Sequence, residues 1–315
     1  MKAASLENKD KSFKQKVIIK SLVGLIIFVI VFCILLLIAG TDMSGKIISF
    51  IFYFSMICFA IYEFSLILPL PKWANFYLPL LTFLTFFSSW DNLYSWFNDN
   101  NQSLSLNDLI RDQYQYKIAN ISGLGYLIEF ALLLTPFLFA KKEIKTFLFG
   151  LITYVFITFI TIAGKSLMFL NAKGGSFLFL LVLLFGPAFC DTFSYFGGIL
   201  LGNKIFKNKK LAPKISPNKT IEGAIVGFIF TWLALFLFFW FINFKSLNID
   251  KTILLIVVPI TLPIIAILGD LTFSSIKRFV KTKDFSNILP EHGGILDRFD
   301  SIILVSFIFS ALFLV

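Results

Sequence analysis

The sequence predicts an all-α polytopic membrane protein of about nine transmembrane helices, with a cytoplasmic N-terminus and its polar chemistry in loops on the cytoplasmic side. Three observations carry this. Of 315 residues, 58% are hydrophobic and only 15% charged, where a soluble domain carries roughly a quarter charged. Apolar runs long enough to cross a hydrocarbon core, which takes about 20 helical residues, recur along the chain. Lysines collect in alternate connections between those runs, as the positive-inside bias requires. Mean hydropathy is +0.87, and phenylalanine alone supplies 42 positions.

The net charge of +10 fits cationic loops beside anionic lipid headgroups better than nucleic-acid binding. Cys33, Cys58 and Cys190 have neither metal-ligand nor disulfide-like spacing and read as small buried hydrophobes.

Residues 1–16, with five lysines against two acids, read as a cytoplasmic tail. The first span is Val17–Ala39, a retained helix rather than a cleaved leader. The second, Ile47–Leu68, carries Glu63, an acid within or near the membrane that is either functional or snorkels to water. Prolines break the chain at Pro69 and Pro71, and a third, shorter apolar segment covers Asn75–Ser89. The polar stretch 91–120 reads as an external loop. The fourth span, Ile121–Ala140, holds Glu129 near its middle, and the fifth is Thr146–Ala163. Residues 17–175 therefore form an N-terminal transmembrane region and 176–315 a C-terminal one, and two polar stretches make the latter the candidate catalytic region. In the latter the spans are Ser176–Cys190, Ile221–Ile242, Thr252–Leu268 and Ser301–Val315.

Two polar stretches interrupt the second region. From Asp191 to Thr220 there are six lysines and one acid. A helix here would put Asp191, Tyr195, Gly198 and Gly202 on one face. Ser216-Pro217-Asn218-Lys219-Thr220 leads into the next helix, with either Ser216 or Thr220 as its cap. Lys219 then lies beside amides free to meet a phosphate.

The second stretch, Asp270–Asp300, holds five acids, five bases and His292, the sole histidine. Continuing the helix past Leu268 puts Asp270, Ser274, Lys277 and Arg278 on one face. Lys283-Asp284 adds another charged pair. His292-Gly293-Gly294 offers amides that can form an anion nest. Asp297 and Asp300 lie three apart with Arg298 between them, its fork suited to phosphate. Asp191, Asp270, Asp284, Asp297 and Asp300 are thus candidate ligands for a hard cation, and Lys219, Lys277, Arg278 and Arg298 candidate phosphate clamps. Cations and carboxylates together suit phosphoryl chemistry, which needs charge neutralised more than a strong base. One histidine makes no paired-histidine metal site, and no nucleophile-elbow signature accompanies it.

The run Ser274, Lys277-Arg278, Lys283-Asp284, Pro290, His292-Gly293-Gly294, Asp297-Arg298 and Asp300 resembles the signature of the phosphatidate cytidylyltransferase (CDP-diacylglycerol synthase) family in every fixed element and spacing. Gly269-Asp270 resembles the family's preceding Gly-Asp. Upstream, Asp191, Tyr195, Gly198, Gly202, Ser216-Pro217, Lys219-Thr220 and Glu222-Gly223 match as well. Three positions depart from the pattern: Ser194 stands for a small alanine, Ile199 where arginine is common, and Asn218 for a lysine. The strong resemblance covers Asp191–Asp300; the earlier spans match only in hydrophobic character.

The resemblance implies transfer of CMP from CTP to phosphatidic acid, giving CDP-diacylglycerol and pyrophosphate. It implies Mg²⁺, with or without a second cation, gathered by Asp191, Asp270 and Asp284. Lys219, Lys277, Arg278 and Arg298 would hold phosphates, with Ser216, Thr220, Gly293 and Gly294 beside them. Lys283, His292, Asp297 and Asp300 complete the implied site. It also implies a homodimer in a lipid bilayer, at a bacterial inner or plasma membrane, and no nucleic-acid partner. Nucleotidyl transfer to another lipid phosphate and a membrane transporter are the competing readings.

Overall fold

The computed structural model of the chain describes residues 43–87, 123–138, 144–172, 177–202, 206, 209–242, 251–286 and 293–312. The expected tail, the first span Val17–Ala39, the loop 91–120 and His292 lie outside these residues.

The N-terminal half holds four helices: α1 (Met43–Leu66), α2 (Ala74–Phe87), α3 (Gly123–Leu138) and α4 (Ile144–Ala172). Pro69 and Pro71 prevent α1 from continuing into α2, and short turn bonds such as Leu68 N–H to Ser65 O at 3.1 Å fold the chain back. Tyr77 on α2 donates to Leu132 O on α3 and accepts from Thr135 Oγ1, so polar atoms in an apolar setting are satisfied between helices. At 29 residues, α4 is about 44 Å long and packs against α1, α3 and α8.

The second half comprises α5 (Phe177–Leu201), a two-stranded antiparallel hairpin of β1 (Lys210–Ala212) and β2 (Ser216–Thr220), α6 (Ile221–Phe241), α7 (Val258–Phe279) and α8 (Leu296–Leu312). One π-helical turn, Ile253–Val257, leads into α7. Helices α5 and α6 approach until backbones nearly touch. A Cβ at Gly223 would stand 2.4 Å from Ser194 O, and one at Gly227 2.7 Å from Cys190 O. The core runs between α1, α4, α5, α6, α7 and α8, with Phe64, Phe179, Phe239 and Phe309 almost wholly enclosed. Outward, α6 shows Ile229, Phe230, Leu233, Leu237 and Trp240, a face suited to lipid.

The expectation of nine spans is corrected. The described residues form eight α-helices, of which five segments are long and apolar enough to cross a membrane: Ser44–Leu66, Phe149–Met168, Phe177–Leu201, Ile221–Phe241 and Ile253–Phe279. Length is the reason. Within the described residues, the segments expected at Asn75–Ser89, Ile121–Ala140 and Ser301–Val315 show helices of 14, 16 and 17 residues, roughly 21–26 Å of rise against a core of about 30 Å. An apolar run marks burial as readily as it marks a crossing. The stretch 216–220, expected only to lead into the next helix, is the second strand of the hairpin. Five candidate spans still make this a multi-pass membrane protein.

Candidate active site

The two polar stretches meet. The C-terminal half of α5, the hairpin, the polar end of α7, the turn after it and the start of α8 enclose a cavity of about 630 Å³. Asp191, Lys219, Asp270, Lys277, Asp284, Asp297, Arg298 and Asp300 line it, with Thr220 and Tyr195.

Each wall has a local cause. Thr220, with extended backbone, caps α6 by accepting the Gly223 N–H at 3.1 Å, so of the two capping readings Thr220 is the cap. In the first turn of α6, Glu222 accepts the Phe206 N–H at 2.9 Å, which holds the approach to the hairpin. Helix α7 ends in a Schellman turn: Thr282 N–H reaches Lys277 O at 2.8 Å and Lys281 N–H reaches Arg278 O at 3.0 Å, with Lys281 at φ 62°. That turn reverses the chain and brings Asp284 back to the cavity.

The charges form two groups. Lys219 bonds Asp270 and lies 3.9 Å from Asp191, so one ammonium bridges carboxylates from α5 and α7. Ser274 donates to the other oxygen of Asp270 at 3.1 Å. Burial pulls the Lys219 ammonium down, but Asp270 and Asp191 outweigh it and its pKa is raised, keeping it cationic. In the second group, Lys277 is 2.6 Å from Asp297 and 3.9 Å from Asp300. Burial, then the charge of Asp270, pushes the Asp300 carboxyl up to about 7, against the opposing pull of Lys277 and the Ser301 N–H.

The glycine pair expected as a phosphate nest is occupied from within. Asp297 Oδ2 accepts the Gly294 and Phe285 N–H groups, each at 2.9 Å. Gly293 sits at φ 79°, and a Cβ there would be 3.0 Å from the same oxygen. Asp297 therefore spends three of its roughly four acceptor positions on two amides and an ammonium.

Arg278, expected as a phosphate clamp, does not line the cavity. Its guanidinium donates to Ile215 O at 3.1 Å and Thr282 O at 3.0 Å, pinning the hairpin turn to the end of α7. Ser216 and Lys283 also lie outside the lining residues. Glu129 belongs to α3, and its side chain lies outside the description. Lys210, Leu211, Ala224 and Ile267 line the cavity without having been singled out from the sequence; Lys210 was one of six lysines in its stretch and nothing in the pattern marked it. All three departures from the family pattern, Ser194, Ile199 and Asn218, line it too.

Among the described residues no three acidic, histidine or cysteine side chains converge as a metal centre needs. The donor chemistry nonetheless suits a hard cation, since Asp191, Asp270 and Asp284 share the cavity and Lys219 already supplies positive charge between the first two.

In this multi-helix membrane protein the cavity sets lysines against carboxylates, a charge arrangement compatible with phosphate groups. The chain belongs to the cytidylyltransferase family, whose family model matches residues 11–315. It is 37% identical over 196 residues to a phosphatidate cytidylyltransferase of Rickettsia typhi, covering 62% of this chain and 78% of that protein. Enzymes of the same name from Rickettsia conorii and Staphylococcus haemolyticus are 42% and 48% identical over 122 and 115 residues. Those two matches cover 38% and 36% of this chain and 53% and 41% of the relatives, about half of their length.

Proposed function

We propose that this chain transfers CMP from CTP to phosphatidic acid, releasing pyrophosphate and forming CDP-diacylglycerol. One observation carries the reading: residues of both signature stretches, Asp191–Thr220 and Asp270–Asp300, line a single polar cavity among apolar helices. Family membership and the shared name of its relatives support it.

In this reaction a phosphate oxygen of phosphatidic acid attacks the α-phosphorus of CTP, and the bond to the β-phosphate oxygen breaks. Two anionic substrates must be brought together, so charge neutralisation and alignment dominate the task. Lys219 and Lys277 stand on opposite carboxylate groups of the cavity, and Arg298 adds a planar fork. Asp191, Asp270 and Asp284 would hold Mg²⁺, which when bound offsets charge on phosphate oxygens. Thr220 and the hairpin fix where Lys219 stands. Asp297 organises the glycine turn, and Arg278 holds the hairpin against α7. The bacterial relatives support a bacterial cell membrane as the location; a homodimer follows from the family resemblance alone. Residues 176–315 form the catalytic region in this reading.

Purified protein in mixed micelles with phosphatidic acid, Mg²⁺ and CTP labelled at the α-phosphate tests the proposal. Labelled CDP-diacylglycerol, absent without Mg²⁺ and from an Asp270→Asn variant, is expected. Well-folded protein that leaves all label in the aqueous phase overturns it.

A further inference from the structure

Glu63 stands in the last turn of α1, far in sequence from every residue of the signature. Its side chain is fully buried, yet it does not line the cavity. Its carboxylate accepts three hydrogen bonds, all from the segment that closes the site: Ser286 Oγ at 2.6 Å, Ile295 N–H at 3.0 Å and Leu296 N–H at 2.6 Å. Leu296 opens α8, so two of these donors are end-of-helix amides that need an outside partner, and the negative charge also suits the helix dipole. The fit is close, since a Cβ at Gly294 would stand 2.7 Å and 2.9 Å from the two carboxylate oxygens.

The neighbouring residue reinforces the contact. Phe64, fully buried, meets the Phe285 ring at 6.2 Å between centroids, and Lys277 lies 5.0 Å from the centre of that ring. Glu63 and Phe64 thus grip two arms of chain, Phe285-Ser286 on one side and Gly294 to Leu296 on the other. Immediately beyond the grip stand Asp284 on the first arm and Asp297, Arg298 and Asp300 on the second, all lining the cavity.

We infer that Glu63 is a positioning residue for the reaction: it fixes Asp284 relative to the Asp297–Asp300 turn, so that the cation-binding and phosphate-binding sides of the cavity keep their spacing. This rests on the function proposed above. A carboxylate is required because all three partners are donors. Glutamine has the same shape but offers an amide NH₂ to at least one N–H or hydroxyl, whereas a purely space-filling role would tolerate it.

The test compares wild type, Glu63→Gln and Ser286→Ala in detergent. It reads kcat, KM for each substrate, the Mg²⁺ concentration for half-maximal rate, and, independently of turnover, the rise in thermal midpoint on adding Mg²⁺. Glu63→Gln is expected to lower kcat and to raise the Mg²⁺ concentration for half-maximal rate by about tenfold, the effect of losing about 1.4 kcal/mol of positioning, with KM for phosphatidic acid little changed and a smaller Mg²⁺-induced shift in midpoint. Ser286→Ala removes one of the three bonds and is expected to move the same quantities in the same direction by about twofold. Folded Glu63→Gln with wild-type kcat and an unchanged Mg²⁺-induced shift overturns the inference. If that variant does not fold, wild-type values for Ser286→Ala overturn it. Wild-type protein that makes no CDP-diacylglycerol defeats the function reading instead, and the Mg²⁺-induced shift still decides whether Glu63 positions the cavity.

Discussion

Lys277 Nζ lies 2.6 Å from Asp297 Oδ1, with the two side chains 10% and 8% exposed. The pair is the inner wall of the cavity, and Asp297 uses its other oxygen to hold the Phe285 and Gly294 amides. Removing Asp297 leaves the buried Lys277 with only the more distant Asp300, 3.9 Å away, and strips two amides of their acceptor. Asp297→Ala should therefore destabilise the protein by about 3 kcal/mol, read as a lower midpoint in denaturant titration in detergent. The double variant Lys277→Met, Asp297→Asn should recover much of that loss while remaining inactive.

Lys219 presents the opposite case. It bridges Asp191 and Asp270, and its removal leaves two carboxylates facing one another at the place where added positive charge is most favourable. Lys219→Met should lower the thermal midpoint in the absence of divalent cations. Mg²⁺ should then raise the midpoint by more in this variant than in wild type, because the cation no longer competes with an ammonium. A thermal titration with MgCl₂, run beside wild type, checks both halves.

The contrast between these lysines explains what was legible in the sequence. Asp270, Lys277, Asp284, Asp297 and Asp300 could be grouped because motif spacing records which residue types the chemistry needs. The spacing does not record that Asp297 accepts two backbone N–H groups and pairs with Lys277. The contacts of Arg278 were illegible for a similar reason, since its carbonyl partners Ile215 and Thr282 leave no mark in a pattern of side chains. Glu63 stood out as an acid too costly to bury unpaired, but its partners are over 220 positions away. The hairpin was missed because strands of three and five residues are too short to show alternation. Helix existence was legible and the number of crossings was not, since hydrophobicity alone does not separate a short apolar helix such as α2 from a span.

The contact between α5 and α6 should be intolerant of even one methyl group. At Gly223 an added Cβ meets backbone, 2.4 Å from Ser194 O and 3.2 Å from Gly198 N, so no side chain can rotate away. Gly223→Ala should cost about 1–3 kcal/mol, the usual range for overpacking. It should also move Asp191 on α5 away from Lys219, which enters α6 through Thr220. Denaturation should show the lost stability, and equilibrium binding of CTP should weaken in the fraction that remains folded.

Ile199 offers a change in the other direction. It lines the cavity and is 63% exposed, so a longer side chain can be accommodated without repacking. An apolar residue at the rim of a phosphate-handling cavity forgoes one cation where the family commonly has arginine. Ile199→Arg should leave stability within about 0.5 kcal/mol, as surface substitutions do. It should tighten CTP binding by about threefold to tenfold, the worth of roughly 1 kcal/mol from a partly screened charge. Because a rim charge is screened by ions within about 10 Å at 0.1 M salt, the gain should shrink as salt rises. Isothermal titration with CTP at low and high ionic strength separates this from a change in shape, which would persist at both.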